Sequence, residues 1–197
     1  MWIVKNRDYA VSWAVGFSDS SILGGTSNYL SLNTTQAILT YNNIWGSSPV
    51  NSSVITMAGD RLVNISGNNY VGYFFKAIQG YSKFGKYVGN GNADGPFVYT
   101  GFKPAFVMIK NIDSGVDHWH IIDNKRNPNN VAGKLLFADL TSAEITYTTE
   151  VLFDILSNGF KLRGDYDHIN KSGENIIYMA FAENPFVTST GIPTTAR

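Results

Sequence analysis

A polar turn followed by an apolar strand is written twice in this chain, and the pair constrains the fold more than any other feature. The first copy is Asn64-Ile65-Ser66-Gly67-Asn68-Asn69 running into Tyr70 to Phe75. The second is Asn170-Lys171-Ser172-Gly173-Glu174-Asn175 running into Ile176 to Phe181. Asn64/Asn170, Ser66/Ser172, Gly67/Gly173, Asn69/Asn175 and Phe75/Phe181 are identical at an offset of 106. Upstream, Ile3-Val4-Lys5-Asn6 matches Met108-Ile109-Lys110-Asn111, and Asp8 matches Asp113, at an offset of 105. One inserted residue later, Trp13 falls on Trp119, Leu30 on Leu136, Asn33 on Asp139 and Thr35 on Thr141 at 106. Self-similarity at a fixed period signals repeated architecture.

The expected fold is therefore all-β, sandwich- or jelly-roll-like, built from two homologous β units of roughly 100 residues each. Residues 1–80 form the first unit, which lacks leading strands; 81–186 form the second; 187–197 read as an extended C-terminal arm. Tyr87 to Pro104 lead into the second unit with no counterpart before Trp2. An uncovered strand edge at Trp2–Lys5 is an aggregation liability, so a neighbouring chain or a longer parent is expected to cover it.

Between the signatures, turn residues punctuate short β candidates. Trp2–Asn6, Tyr9–Val15, Asn28–Asn33, Gln36–Tyr41, Ser53–Met57, Tyr81–Val88, Phe97–Tyr99 and Ala105–Lys110 have strand character. Thr149–Ser157 fits a two-turn amphipathic helix or a strand closing on the hairpin-type turn Ser157-Asn158-Gly159. Gly89 to Pro96 reads as a turn between strands, since no Lys-Ser/Thr pair or helix follows to make a phosphate cradle.

Charged residues make up 15% of the chain against a usual value of about 25%. Fifteen bases balance fifteen acids, and no basic stripe suggests a nucleic-acid partner. A low-charge surface rich in Asn, Tyr and Trp suits neutral ligands such as sugars, or other protein chains. With no cysteine there is neither a disulfide nor a thiolate metal site. No apolar run reaches the roughly 20 residues that span a bilayer, so membrane insertion is not expected. Met1-Trp2-Ile3-Val4 enters a strand pattern without a charged leader, so no signal peptide is expected.

Asp117-His118-Trp119-His120 has the most chemical character. On a strand His118 and His120 share a face, and with Asp123 as a third ligand they are candidates for Zn²⁺ or Ni²⁺. The competing reading is two polar residues alternating with a buried Trp119, supported by Ser12 and Ala14 flanking Trp13 in the first unit. Asp165, Asp167, His168 and Asn170 offer alternating ligands in the manner of a calcium loop, but no distal Glu completes the pattern, and a solvated loop is the simpler reading. Trp45, among Asn43, Gly46, Ser47 and Ser48, is the candidate to stack on a sugar ring, or else a plug at the end of the fold. Asn33, Asn51, Asn64 and Asn170 read as turn residues. No nucleophile elbow or His-Glu-x-x-His motif occurs, so no catalytic residue, enzyme activity or cofactor is expected.

Ala105 to Lys110, Trp119, Ser157-Asn158-Gly159-Phe160-Lys161-Leu162, Asn170-Lys171-Ser172-Gly173 and the close Ile177 to Phe186 together resemble a repeat domain of tailed-phage virion proteins. Such domains are common in phages of marine bacteria and usually lie in tail-fibre or other virion proteins. The likeness covers the second unit nearly completely and the first partially. The first unit departs at Gly72-Tyr73-Phe74 and has Ala58-Gly59-Asp60-Arg61 in place of the Asn-Gly-Phe turn. The resemblance implies a structural component of the phage particle, in a tail fibre or other surface-exposed position, made in the bacterial cytoplasm. Its implied partners are other virion proteins, a homo-oligomer of itself and a host-surface glycan. A capsid-decorating protein without host ligand and a tail-associated glycan hydrolase are the alternatives.

Overall fold

The computed structural model describes residues 1–25, 27–42, 44–46, 54–147 and 152–184. Asn43, Ser47, Ser48, Asn51, Thr149 and the 187–197 arm lie outside them. The chain is mostly β, with several antiparallel sheets and no barrel. It divides into two compact units, residues 1–75 with 114–116, and residues 76–113 with 117–197. Among the described residues no helix is long and apolar enough to cross a membrane.

In the first unit the elements are β1 (Trp2–Asn6), β2 (Ala14–Gly16), α1 (Ser20–Leu23), β3 (Asn28–Ser31), β4 (Leu39–Thr40) and β5 (Tyr70–Phe74). They make one sheet in the order β4-β3-β2-β1-β5. The expected open edge at Trp2–Lys5 is therefore incorrect: β1 is internal, paired with β2 on one side and β5 on the other. Trp2, Val4, Ala14, Ile44, Trp45 and Val63 form the core. Gly16 has no side chain for a packing reason, since a Cβ there would lie 2.5 Å from the Trp2 indole. The expected strand over Tyr9–Val15 shrinks to β2, because Asn6 Oδ1 accepts from the Asp8 and Tyr9 N–H groups and turns the chain there. Of Ser53–Met57, the described residues 54–57 form no strand.

The second unit contains β6 (Ser82–Val88), β7 (Phe97–Tyr99), β8 (Pro104–Asn111), β9 (His120–Asp123), β10 (Lys134–Phe137), β11 (Ile145–Thr146), β12 (Phe153–Leu156), β13 (Gly159–Leu162), α2 (Asp167–Asn170) and β14 (Asn175–Ala182). One sheet runs β11-β10-β9-β8-β14-β6 and another β12-β13-β7. The core draws on both: Val107, Ile109 and Tyr178 from the first, Val98, Phe153, Phe160 and Leu162 from the second. Phe160 stacks on Phe153 at 4.7 Å and meets Tyr178 edge-on at 5.5 Å. Phe153 to Leu156 is a strand, so the helical alternative for that stretch fails. α1 and α2, one turn each, carry too few residues to show a helical period in the sequence.

The two larger sheets run in the same order as far as they correspond, β4-β3-β2-β1-β5 beside β11-β10-β9-β8-β14. Registers also correspond: Ile3 faces Tyr73 as Met108 faces Met179, and Ala14 faces Ser31 as His120 faces Phe137. Asp8 Oδ2 accepts from the Asn69 N–H and Nδ2 at 2.5 and 3.2 Å; Asp113 Oδ2 accepts from the same groups of Asn175 at 2.7 and 2.8 Å. Gly67 and Gly173 both have left-handed backbones, φ +85° and +80°, which favour glycine.

Asn170 shows why its turn is written as it is. Fully buried, it donates through Nδ2 to Asn90 Oδ1, Asn92 O and Gly164 O, and accepts from the Asn90 N–H at 2.9 Å. This fixes the Gly89–Pro96 loop and spends the amide that the calcium reading required. The exposed Asn64 side chain donates through Nδ2 to Met57 O at 3.4 Å. Asn170→Ala is expected to lower unfolding free energy by about 2–4 kcal/mol, because buried groups lose their partners. Asn64→Ala should cost less than about 0.5 kcal/mol. Urea denaturation of the two variants measures the contrast.

Candidate functional site

All three histidines of the chain lie in one pocket of the second unit. Its cavity, about 260 Å³, is lined by His118, His120, Phe137, Leu140, Ile145, Tyr147, Tyr166 and His168. β9 presents His120, whose cross-strand partner on β10 is Phe137. Phe137 meets the His118 and His120 rings edge-on at 5.2 and 5.0 Å. From α2, His168 brings its ring within 5.9 Å of His120 and 4.6 Å of Tyr166. The Tyr147 and Tyr166 hydroxyls approach to 3.3 Å.

Each imidazole is held by its Nδ1. His118 bonds Asp139 Oδ2 at 2.6 Å, His168 bonds Asp117 Oδ1, and His120 bonds the His118 carbonyl at 3.0 Å. An Nδ1 facing a carbonyl carries the proton, so neutral His120 keeps an acceptor at Nε2. Asp139 also accepts from the Trp119 N–H at 2.9 Å, tying the strand approach to the ring it orients. Both carboxylates are withdrawn from solvent, with Asp117 at 3% exposure. Lys110 is buried on β8 near them and donates to Asn111 O at 2.7 Å. Burial pushes its amine down to about 8 against the opposing pull of Asp117 and Asp139.

The alternation expected around Trp119 is present: Trp119 is buried at 1%. The proposed ligand set is not assembled. Asp123 lies an odd number of residues from His120 on β9, so its side chain emerges from the other face. There it accepts from the Arg126 Nε at 2.5 Å and from the Lys125 and Arg126 N–H groups. Among the described residues no group of three or more His, Asp or Glu side chains is arranged to hold a metal ion. Asp165 and Asp167 join no such group either.

Trp45 belongs to the core of the first unit. It is 2% exposed, its indole N–H donates to Asn28 O at 3.0 Å, and its ring meets Trp2 edge-on at 5.2 Å. A ring buried in this way has neither face open to stack on a sugar.

Phe137, Tyr147 and Tyr166 carry no local signal, and His168 reads in sequence only as part of the Asp165–Asn170 stretch, because the fold gathers these residues from separate parts of the chain. A signal existed in the 106-residue offset. Where the second unit has His118, His120, Phe137, Asp139 and His168, the first has Ser12, Ala14, Ser31, Asn33 and Leu62.

Burial is the main cause that lowers the His120 pKa from 6.5 to about 4; His168 and His118 reinforce it, while the His118 carbonyl and Asp117 oppose it. The unfolded chain takes up this proton first as pH falls, so the stabilising contribution is whole above pH 6.5 and is lost on the way down to pH 4. That shift corresponds to a loss on the order of 3 kcal/mol. Urea midpoints measured from pH 7.5 to 4 should fall more steeply for the native chain than for His120→Gln.

No curated protein and no solved structure matches this chain. A family model does, over residues 1–185 and thus across both units. On that match the chain belongs to the family described as a domain of unknown function, DUF7483.

Proposed function

We propose that this protein is a duplicated β structural component of a tailed-phage particle, surface-exposed in a tail fibre or similar position, and that it attaches to a neutral glycan through the histidine–tyrosine pocket. The observation that carries the binding reading is the pocket itself: three imidazoles oriented through Nδ1, grouped with aromatic rings. Imidazole Nε2 atoms and tyrosine hydroxyls match sugar hydroxyls, and aromatic faces match sugar C–H groups. Asp117 and Asp139 are engaged by His168 and His118 instead of lining the cavity, which favours binding over hydrolysis.

The duplication is supported by matched strand order, registers and Asp–Asn clamps. On such a frame, the histidine positions mark where the second unit acquired a side-chain set that the first lacks. The virion setting rests on the sequence resemblance. A shallow site of this size gives weak single contacts, so attachment would gain strength through repetition on a symmetric particle.

Screening the full chain against a glycan array should give binding to neutral saccharides. Tyr166→Ala should weaken it at least tenfold, the loss of roughly 1.4 kcal/mol from one stacking contact, while Trp45→Phe should leave affinity unchanged. Absence of binding to any glycan would overturn the ligand reading. Immunogold labelling of purified particles tests the setting: gold on tails supports attachment, gold over heads favours capsid decoration, and no gold removes the virion assignment.

A further inference from the structure

β14 is covered on both sides, by β8 and by β6; among the described residues its counterpart β5 is paired with β1 alone. Reciprocal bonds between Met1 and Phe75, and the Arg7 N–H to Asn69 O bond, fix the phase of that pairing. Odd-numbered β5 residues bond β1, so Tyr70, Gly72 and Phe74 turn their backbone N–H and C=O groups to the open edge. At the same offset in the second unit are Ile176, Tyr178 and Ala180, which pair with Tyr87, Gly85 and Lys83 of β6. Three donors and three acceptors, satisfied by a strand in one unit, are left facing outward in the other.

The chemistry of this edge is also distinctive. β6, the edge beyond β14, carries Lys83 and Lys86, while β4 and β11 are only two residues long. Charge and shortness are devices that protect edges from pairing. β5 has neither: its five residues are uncharged and contain no proline. Gly72 is exposed, Tyr73 is 49% exposed and Phe74 is 57% exposed.

We infer that β5 is a self-pairing edge, joined antiparallel to β5 of a second copy across a two-fold axis at Gly72. The direction matches that of β6 against β14, and antiparallel alignment is what a two-fold axis produces. In this register Gly72 faces the partner's Gly72, and Tyr70 faces the partner's Phe74. Three hydrogen-bonded pairs exchange six backbone bonds. The Phe74 ring lies over Gly72, where an added Cβ would come within 2.6 Å of it. The absence of a side chain at the axis lets the two backbones approach, and each Phe74 gains an aromatic partner opposite. No charge opposes its own image.

This deepens the assembly reading above and rests on it only for its biological setting. The test uses the isolated full chain in analytical ultracentrifugation over a hundredfold concentration range. A dimer is expected, with Phe74→Lys raising its dissociation constant at least tenfold. Gly72→Lys, which sets like charges opposite each other at the axis, should do the same, and circular dichroism confirms that both variants are folded. Amide exchange at Tyr70, Gly72 and Phe74 should slow as native protein is concentrated. A chain monomeric throughout the range would show that the edge takes another occupant and overturn the proposal. So would a dimer that folded variants of both kinds leave intact. Neither result bears on glycan binding, which the array measures separately.

Discussion

The pairing of β1 with β5, and of β8 with β14, is the contact on which the rest depends. Both pairings join residues more than sixty positions apart in the chain. Closing such loops costs chain entropy before contacts return it. The Asp8–Asn69 and Asp113–Asn175 bonds act at this closure, joining the residues just beyond one strand to the start of the other. From β1 the first sheet continues through β2, β3 and β4, and from β8 the second continues through β9, β10 and β11.

That closure also explains the placement of the pocket. β9 lies beside β8, the approach to β9 carries His118, and the turn before β14 carries α2 with His168. The site therefore combines the internal strand β9 with the entry to β14. Asp139, Asp117 and Lys110 are withdrawn from water, as is His120, while the His118 and His168 side chains are about a third exposed. Buried charges of opposite sign are tolerable together because each offsets the desolvation of the other. They orient rings that would otherwise be free to turn.

Much of the β architecture was legible because turn chemistry is local. Gly67 and Gly173 need left-handed backbone, and Asp8 and Asp113 need the amides they accept from, so these residues recur at nearly fixed intervals. Partner choice was less legible. Trp2–Lys5 resembled an edge because its second neighbour, β5, is far along the chain. Trp45 resembled an exposed ring because its sequence neighbours are polar, whereas its spatial neighbours are Trp2 and Asn28. His118 and His120 stood out, but His168 acquires meaning only when α2 is brought against β9.

The same closure leaves the two ends of the first unit side by side, with the Met1 amine 3.3 Å from the Phe75 carbonyl. A unit whose entrance and exit coincide can be spliced into a surface loop of another protein without stretching its host. It can also be strung in series, each copy released from the point at which it was entered.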